Sequence, residues 1–138
     1  MSRLGDGTVR QPPSGPGGMR SEDAEEFGLV IRRLVRRVED ADLLGGQVEV
    51  LLGLGFGEWS RVRAGRPGWR LSPRQERCAR LAVELLDGLE ALLGGWASVR
   101  PWLEAPSGHL DGGSPLEWAG LSPAHLSALV ACLRAEAS

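Results

Sequence analysis

The chain has 138 residues, which is enough for one domain or for two very small domains that share a core. Hydrophobic residues make up 42% and charged residues 25%, so the composition excludes wholesale disorder and a collagen-like repeat. No apolar run approaches the ~20 residues that cross a bilayer, and the N-terminus lacks the apolar segment of a secretory signal. We therefore expect a cytoplasmic protein that does not contact a membrane.

The charge is unevenly distributed along the chain. The formal net charge is −2 at pH 7, and all 16 basic residues are arginine. Residues 1–57 carry a net charge of −2, residues 58–80 carry +5 and residues 81–138 carry −5. A basic middle and an acidic C-terminal part indicate two faces with different partners. Chance clustering on a solvated surface is the alternative explanation.

Residues 1–20 are rich in proline and glycine and nearly devoid of large apolar side chains. Such a segment buries too little surface to offset its ordering entropy, so we predict a flexible tail. From Ser21 onward, apolar residues recur at the spacing of three and four that places them on one face of a helix. This predicted first helix is ended by the glycine pair Gly45-Gly46. Its apolar face carries Phe27, Val30, Ile31, Leu34, Val35 and Val38.

Two short segments follow, residues 47–52 and a segment that ends at Ala64, with Gly53 between them. Two short helices about a glycine turn predict a helix-turn-helix shape, in which Trp59 and Val62 anchor the second helix. The outward face of that helix is where a DNA-reading helix carries its contacts. The alternative is a helix-turn-helix that serves only as a scaffold for packing and oligomerisation. The candidate DNA-contacting residues are Ser60, Arg61, Arg63, Arg66 and Arg70.

The best-marked helix begins at Ser72, where Ser-Pro-Arg-Gln forms a capping box with proline at the first helical position. A continuous apolar stripe then runs to Leu93, and two glycines end the helix. Ser114 and Ser122 repeat the start signal in the C-terminal third, and a short helix around Trp102 lies before them. Because no stretch alternates with period two beside hairpin signals, we predict an all-α fold.

These signals divide the chain into three regions. Residues 1–20 are the tail, and residues 21–71 form a helix-turn-helix-like region. Residues 72–138 hold the long helix, which joins that region to a small helical C-terminal domain.

The sequence offers no catalytic or metal-binding pattern. His109 and His125 are the only two histidines, and their spacing from Cys78 and Cys132 matches no zinc site, in which ligands come in close pairs. The chain has no lysine, so it has no phosphate-binding loop of the Gly-Lys-Ser/Thr type. No serine stands in a nucleophile-elbow setting. We therefore expect no enzyme activity, no metal and no cofactor.

The segment 102–116, which reads Trp-Leu-Glu-Ala-Pro-Ser-Gly-His-Leu-Asp-Gly-Gly-Ser-Pro-Leu, resembles the toxin-binding signature of the Xre/MbcA/ParS-type antitoxins. In that family a Trp-Leu pair, a Pro-Asn pair, a glycine-rich turn and a Pro-Leu pair open the last helices. Here Ser107 stands where the family has asparagine. The helix-turn-helix segment with its Arg-Ala-Gly ending, and the long helix capped by Leu-Ser-Pro, also resemble these antitoxins. The resemblance covers roughly residues 40–138.

The resemblance implies an antitoxin of a type II toxin–antitoxin pair. Its partner is expected to be a RES-domain toxin that depletes NAD, and the C-terminal domain and chain end would cover the active site of that toxin. The acidic charge of residues 81–138 would favour encounter with a basic nucleotide pocket. A homodimer or higher homo-oligomer is expected, and many such antitoxins repress their own operon. The candidate toxin-contacting residues are Trp102, His109, Asp111, Trp118, Arg134 and Glu136.

Other interpretations remain open at this point. Trp102 and Trp118 also fit simple core packing in a small domain. The whole chain also fits a DNA-binding transcriptional regulator whose C-terminal helices only dimerise, or a scaffold protein with neither activity. A neighbouring gene that encodes a RES-type protein would favour the antitoxin.

Overall fold

Helices account for the regular secondary structure of the described residues. The computed structural model describes residues 21–65, 71–107 and 113–137, and within these ranges it contains seven α-helices and no strand. The all-α prediction is confirmed. The predicted tail, residues 1–20, lies outside the described residues. The helices are α1 (Ser21–Ala41), α2 (Gly45–Leu52), α3 (Glu58–Ala64), α4 (Pro73–Leu93), α5 (Val99–Glu104), α6 (Pro115–Ala119) and α7 (Pro123–Ala137), with a 3-10 turn (Trp96–Ser98) before α5.

The long helix α4 is the central element of the fold. It begins at the predicted capping box, in which Ser72 Oγ accepts from the Gln75 amide at 3.1 Å and Gln75 Oε1 accepts from the Ser72 amide at 2.9 Å. It packs against α1, α2 and α7. Leu85, Leu86 and Leu89 of its apolar stripe are fully buried, and burying a leucine side chain contributes about 1.5–3 kcal/mol.

Helix α1 ends at Ala41, earlier than the predicted end at Gly45-Gly46, and Asp42 turns the chain. Asp42 has a left-handed φ of 58°, and its amide donates to the Glu39 carbonyl at 3.1 Å. The Leu43 amide donates to the Val38 carbonyl at 3.0 Å, which completes a Schellman motif. The short polar side chain of aspartate tolerates this backbone better than most residues do.

Helix α2 begins at Gly45, so the predicted start at residue 47 is wrong. The two glycines lie in the first turn of the helix and do not interrupt it. Gln47 explains the early start, because its Oε1 accepts from the Leu44 amide at 2.9 Å and so satisfies a donor at the helix N-terminus. Its Nε2 also donates to Glu104 Oε2 at 2.6 Å, which ties α2 to the end of α5.

Helices α2 and α6 approach each other closely at Gly120. A Cβ atom at this position would lie 2.9 Å from the Val50 carbonyl oxygen, closer than real Cβ contacts allow. The φ of Gly120 is −74°, which any residue adopts. A side chain at position 120 is therefore excluded by lack of space and not by backbone conformation.

One buried cluster draws on both of the predicted regions, 21–71 and 72–138. Leu34 and Leu51 come from the first region, and Leu103 and Leu126 come from the second. All four side chains are almost completely buried. The helices before and after residue 72 therefore share a core.

Candidate functional site

Trp118 and His125 form the centre of a corner between α6 and α7. Helix α6 begins at the predicted capping box of Ser114, whose Oγ accepts from the Glu117 amide at 3.1 Å. The Trp118 and His125 rings meet edge to face, with centroids 4.8 Å apart and planes at 79°. Ser122 Oγ accepts from the His125 amide at 3.1 Å and shares a hydrogen bond of 2.7 Å with His125 Nδ1. The two helices are thus joined by a cap and a ring contact.

This corner exposes apolar surface. Leu121, between α6 and α7, is 64% exposed, and its amide donates to the Trp118 carbonyl at 3.2 Å. Val50 of α2 is 43% exposed and contacts Gly120, the neighbour of Leu121. Trp118 itself is half-buried against the core. We call Val50, Trp118 and Leu121 the apolar corner.

The predicted toxin-contacting residues do not all lie together. Trp102 on α5 and Trp118 on α6 are each half-buried against the core, and α5 and α6 are in contact. Arg134 and Glu136 lie at the other end of α7, on the order of 14 Å from His125 along the helix at 1.5 Å per residue. His109 and Asp111 lie outside the described residues.

The described side chains of the last turn of α7, residues 134–136, are exposed. Leu133 is buried and contacts α4 beside Gly88, whereas Arg134 and Glu136 are exposed. Arg134 Nη2 donates to Glu84 Oε1 of α4 at 2.6 Å. A partner that contacts this turn would meet the Arg134 side chain, which Glu84 of α4 holds in place.

Helix α3 presents three of the five predicted DNA-contacting residues. Trp59 and Val62 are buried as predicted, and Ser60, Arg61 and Arg63 are exposed. DNA reading by these outward side chains stays a prediction. The helix-turn-helix geometry of α2 and α3 also stays a prediction. Ser60 Oγ donates to the Gly57 carbonyl at 3.0 Å, and Arg63 Nη2 lies 3.3 Å from Glu39 Oε2. Arg66 and Arg70 lie outside the described residues.

The N-terminus of α3 is capped from another helix. The N-cap residue is Gly57, which has a left-handed φ of 82° and no side chain to offer. Glu49 of α2, only 9% exposed, accepts from the Trp59 amide at 3.1 Å through Oε2. The sequence did not single out Glu49, because nothing in its local spacing connects it with a helix ten residues away.

A groove of about 540 Å³ lies between the C-terminal end of α1, the start of α2, and α3. Its volume is in the range of ligand-binding clefts. Phe56, in the loop between α2 and α3, is fully exposed at the side of this groove. We call it the α3 groove. It is lined by Val38, Glu39, Asp42, Leu43, Gly45, Gly46, Glu49, Phe56, Gly57, Trp59, Ser60 and Arg63.

The two cysteines differ in environment. Cys78 is buried on α4 and Cys132 is exposed on α7. Burial raises the pKa of the Cys78 thiol above its usual value of 9.0, and the positive charges of Arg74 and Arg77 offset part of this effect. The Cys78 thiol is therefore protonated at neutral pH, which does not suit a nucleophile.

Comparison with known proteins gives no identification. No model of a protein family matches this chain, and no curated protein matches it. Among the residues that the structure describes, no group of three histidine, cysteine or acidic side chains could hold a metal ion. The described helices include none with the length and apolar character needed to cross a membrane.

Proposed function

We propose that the protein is a type II antitoxin that binds and neutralises a RES-domain, NAD-depleting toxin. The observation that supports this proposal best is the apolar corner, where Leu121 is 64% exposed beside half-buried Trp118. Tryptophan is enriched among the residues that dominate binding energy at protein interfaces. Exposed apolar groups that form a patch are typical of sites that bind another protein.

The corner is suited to binding because it is held in place before a partner arrives. The Ser114 capping box fixes the start of α6, and the Ser122 cap with the Trp118–His125 ring contact fixes the start of α7. Rigid side chains lose little conformational entropy on binding, so more of the contact energy becomes affinity. The exposed last turn of α7 offers a second, polar contact for the toxin.

Co-expression with a RES-domain toxin tests the proposal. Leu121→Glu places a charge on the apolar corner without touching the core, so it should abolish protection and leave the thermal midpoint nearly unchanged. Leu29→Glu is the matched control, since Leu29 is 47% exposed on α1, a helix that contributes no residue to the corner. Cellular NAD and co-purification of the toxin are the readouts. Equal protection by both variants would refute a toxin-binding role for the corner.

A second candidate function is operator binding through α3. The exposure of Ser60, Arg61 and Arg63 on this helix favours it. Arg61→Ala and Arg63→Ala should each weaken binding to the promoter of the protein's own gene, and affinity should fall steeply with salt as counterions are released. A wild-type protein that fails to shift this promoter fragment at low salt would leave α3 with a structural role. Light scattering of the same samples measures whether the protein is the expected homodimer or higher homo-oligomer.

A further inference from the structure

Phe56 is the most exposed of the large apolar side chains that the structure describes. It lies in the loop between α2 and α3, beside the α3 groove, and its ring is fully exposed. The next residue, Gly57, has a left-handed φ of 82° and no side chain that could shield the ring. Aromatic side chains are enriched at protein interfaces, because a large apolar ring gains free energy when it leaves water. Phe56 is therefore a candidate anchor for a protein partner.

The α3 groove has room for a ring of this kind. Val38, Leu43 and Trp59 contribute to its walls. On the α2 side, a Cβ atom built at Gly46 would meet nothing within 4 Å, so this wall is open. The groove volume of about 540 Å³ is ample for a phenyl ring. The groove can thus receive an aromatic side chain without displacement of the helices that form it.

The carboxylates that line the groove already have partners within the chain. Glu39 lies 3.3 Å from Arg63. Asp42 lies 3.3 Å from Arg100, and Glu49 accepts a backbone amide of α3 at 3.1 Å. A cation in the groove would have to compete with these partners, whereas an uncharged side chain leaves them in place. The groove therefore favours an apolar occupant.

Phe56 does not fill the groove of its own chain. Its ring is fully exposed although the groove lies beside it. The loop is held by Glu58, whose amide donates to the Gly55 carbonyl at 3.1 Å and whose Oε1 accepts from the Gly55 amide at 2.5 Å. The ring and the groove therefore lie next to each other on one surface of the same chain.

We propose that the protein dimerises through the α3 groove, with Phe56 of each copy inserted into the groove of the other. A twofold axis allows this, because a surface that carries both a ring and a groove can then meet its own copy. A different partner would need a matching ring and a matching groove of its own. The apolar corner contributes no residue to the groove, so this dimer is independent of the proposed toxin binding. Ser60 and Arg63 do line the groove, so the dimer covers part of the surface that operator binding would use.

Analytical ultracentrifugation of the full chain tests the dimer, which the wild type should form at high concentration. Phe56→Ser should leave the thermal midpoint of dilute protein unchanged, because the side chain is fully exposed. It should weaken dimerisation about a hundredfold, because a few anchor residues carry most of the binding energy of an interface. Leu121→Ser removes an exposed apolar side chain outside the groove and is the matched control, with dimerisation equal to that of the wild type. A wild type that stays monomeric up to millimolar concentration, or a Phe56→Ser variant that dimerises like the wild type, would overturn the proposal.

A second variant, Gly46→Leu, blocks the groove and leaves the ring intact. Because the wall at Gly46 is open, the variant should keep its helical circular dichroism, and its dimer should be as weak as that of Phe56→Ser. In a mixture of the two variants, the intact ring of one chain meets the intact groove of the other. The mixed dimer should therefore form more tightly than the dimer of either variant alone. A mixture that associates no better than its components would overturn the reciprocal insertion.

Isotope-filtered NMR on a mixture of labelled and unlabelled chains locates the ring. We expect nuclear Overhauser effects from the Phe56 ring of one copy to the Val38 and Leu43 methyl groups of the other. If such effects occur only within one chain, the ring closes on its own groove and the proposed dimer is wrong.

Discussion

Arg37 Nε of α1 donates to Asp87 Oδ1 of α4 at 2.5 Å, across the contact between the two longest described helices. Arg134 of α7 reaches Glu84 on the same helix at 2.6 Å. Acidic side chains of α4 therefore pair with arginines from two neighbouring helices. The Arg37 side chain is partly buried, whereas Arg134 is exposed.

We expect the Arg37–Asp87 pair to contribute modestly to stability. A double-mutant cycle with Arg37→Ala and Asp87→Ala should give a coupling free energy of about 0.5–1 kcal/mol, because both groups retain solvent contact. Urea unfolding of the four proteins measures it. Since salt screens exposed pairs, the coupling should decrease in 1 M NaCl. A coupling that is absent at low salt would show that the pair does not stabilise the α1–α4 contact.

Gly120→Ala should destabilise the fold by about 1–3 kcal/mol, because the new methyl group would press on the α2 backbone. Gly46→Ala is the control in the first turn of α2, where a Cβ would meet nothing within 4 Å. Replacing a helical glycine with alanine at such a site should stabilise by about 0.5–1 kcal/mol. Thermal and urea unfolding of both variants measure the two changes in the free energy of unfolding. Similar effects of the two substitutions would contradict the close α2–α6 contact.

The two thiols should react at different rates. At pH 7.5 iodoacetamide should label Cys132 first, because it is exposed, whereas Cys78 is buried and its pKa is raised. Mass spectrometry of the timed reaction gives both rates, and Cys132→Ser removes the fast phase. Burial disfavours the Cys78 thiolate in the folded state. The buried thiol should therefore contribute fully to the free energy of unfolding below the unfolded pKa near 9.0, and this contribution should be lost as pH rises above that value. Cys78→Ala should remove this dependence of the free energy of unfolding on pH. Labelling of both thiols at one rate in the folded protein would be inconsistent with the buried position of Cys78.

Truncation after Leu133 should separate folding from toxin protection. Leu133 is the last buried side chain described on α7, so the shortened protein keeps its core and almost all of its helical circular dichroism. It loses Arg134 and Glu136, which the proposed function places at the toxin. Protection from a co-expressed toxin should therefore fall. A truncated protein that is well folded and protects cells fully would remove the chain end from the interface.

Local signals in the sequence were sufficient for much of the fold. The capping boxes at Ser72 and Ser114 place the starts of α4 and α6, because cap, proline and acceptor are adjacent in sequence. The end of α1 before Asp42 was missed, since aspartate adopts a left-handed backbone only where the following chain supports it. Of the candidate sites, Trp118 was predicted from its residue type alone. The exposure of Leu121 and the capping of α3 by Glu49 depend on how distant helices pack, and no local pattern reports that.

The shared core has a consequence for dissecting the protein. Helices α1 and α2 cover one part of the apolar stripe of α4, and α7 covers another part. A fragment that begins at residue 72 would expose the part that α1 and α2 cover, and would be prone to aggregate through it. The helices on both sides of that residue should instead melt in one cooperative transition, with matching midpoints for tryptophan fluorescence and circular dichroism. Mutations in either half would then lower the stability of the other, and binding defects can be assigned to a surface only after global stability has been measured for each variant.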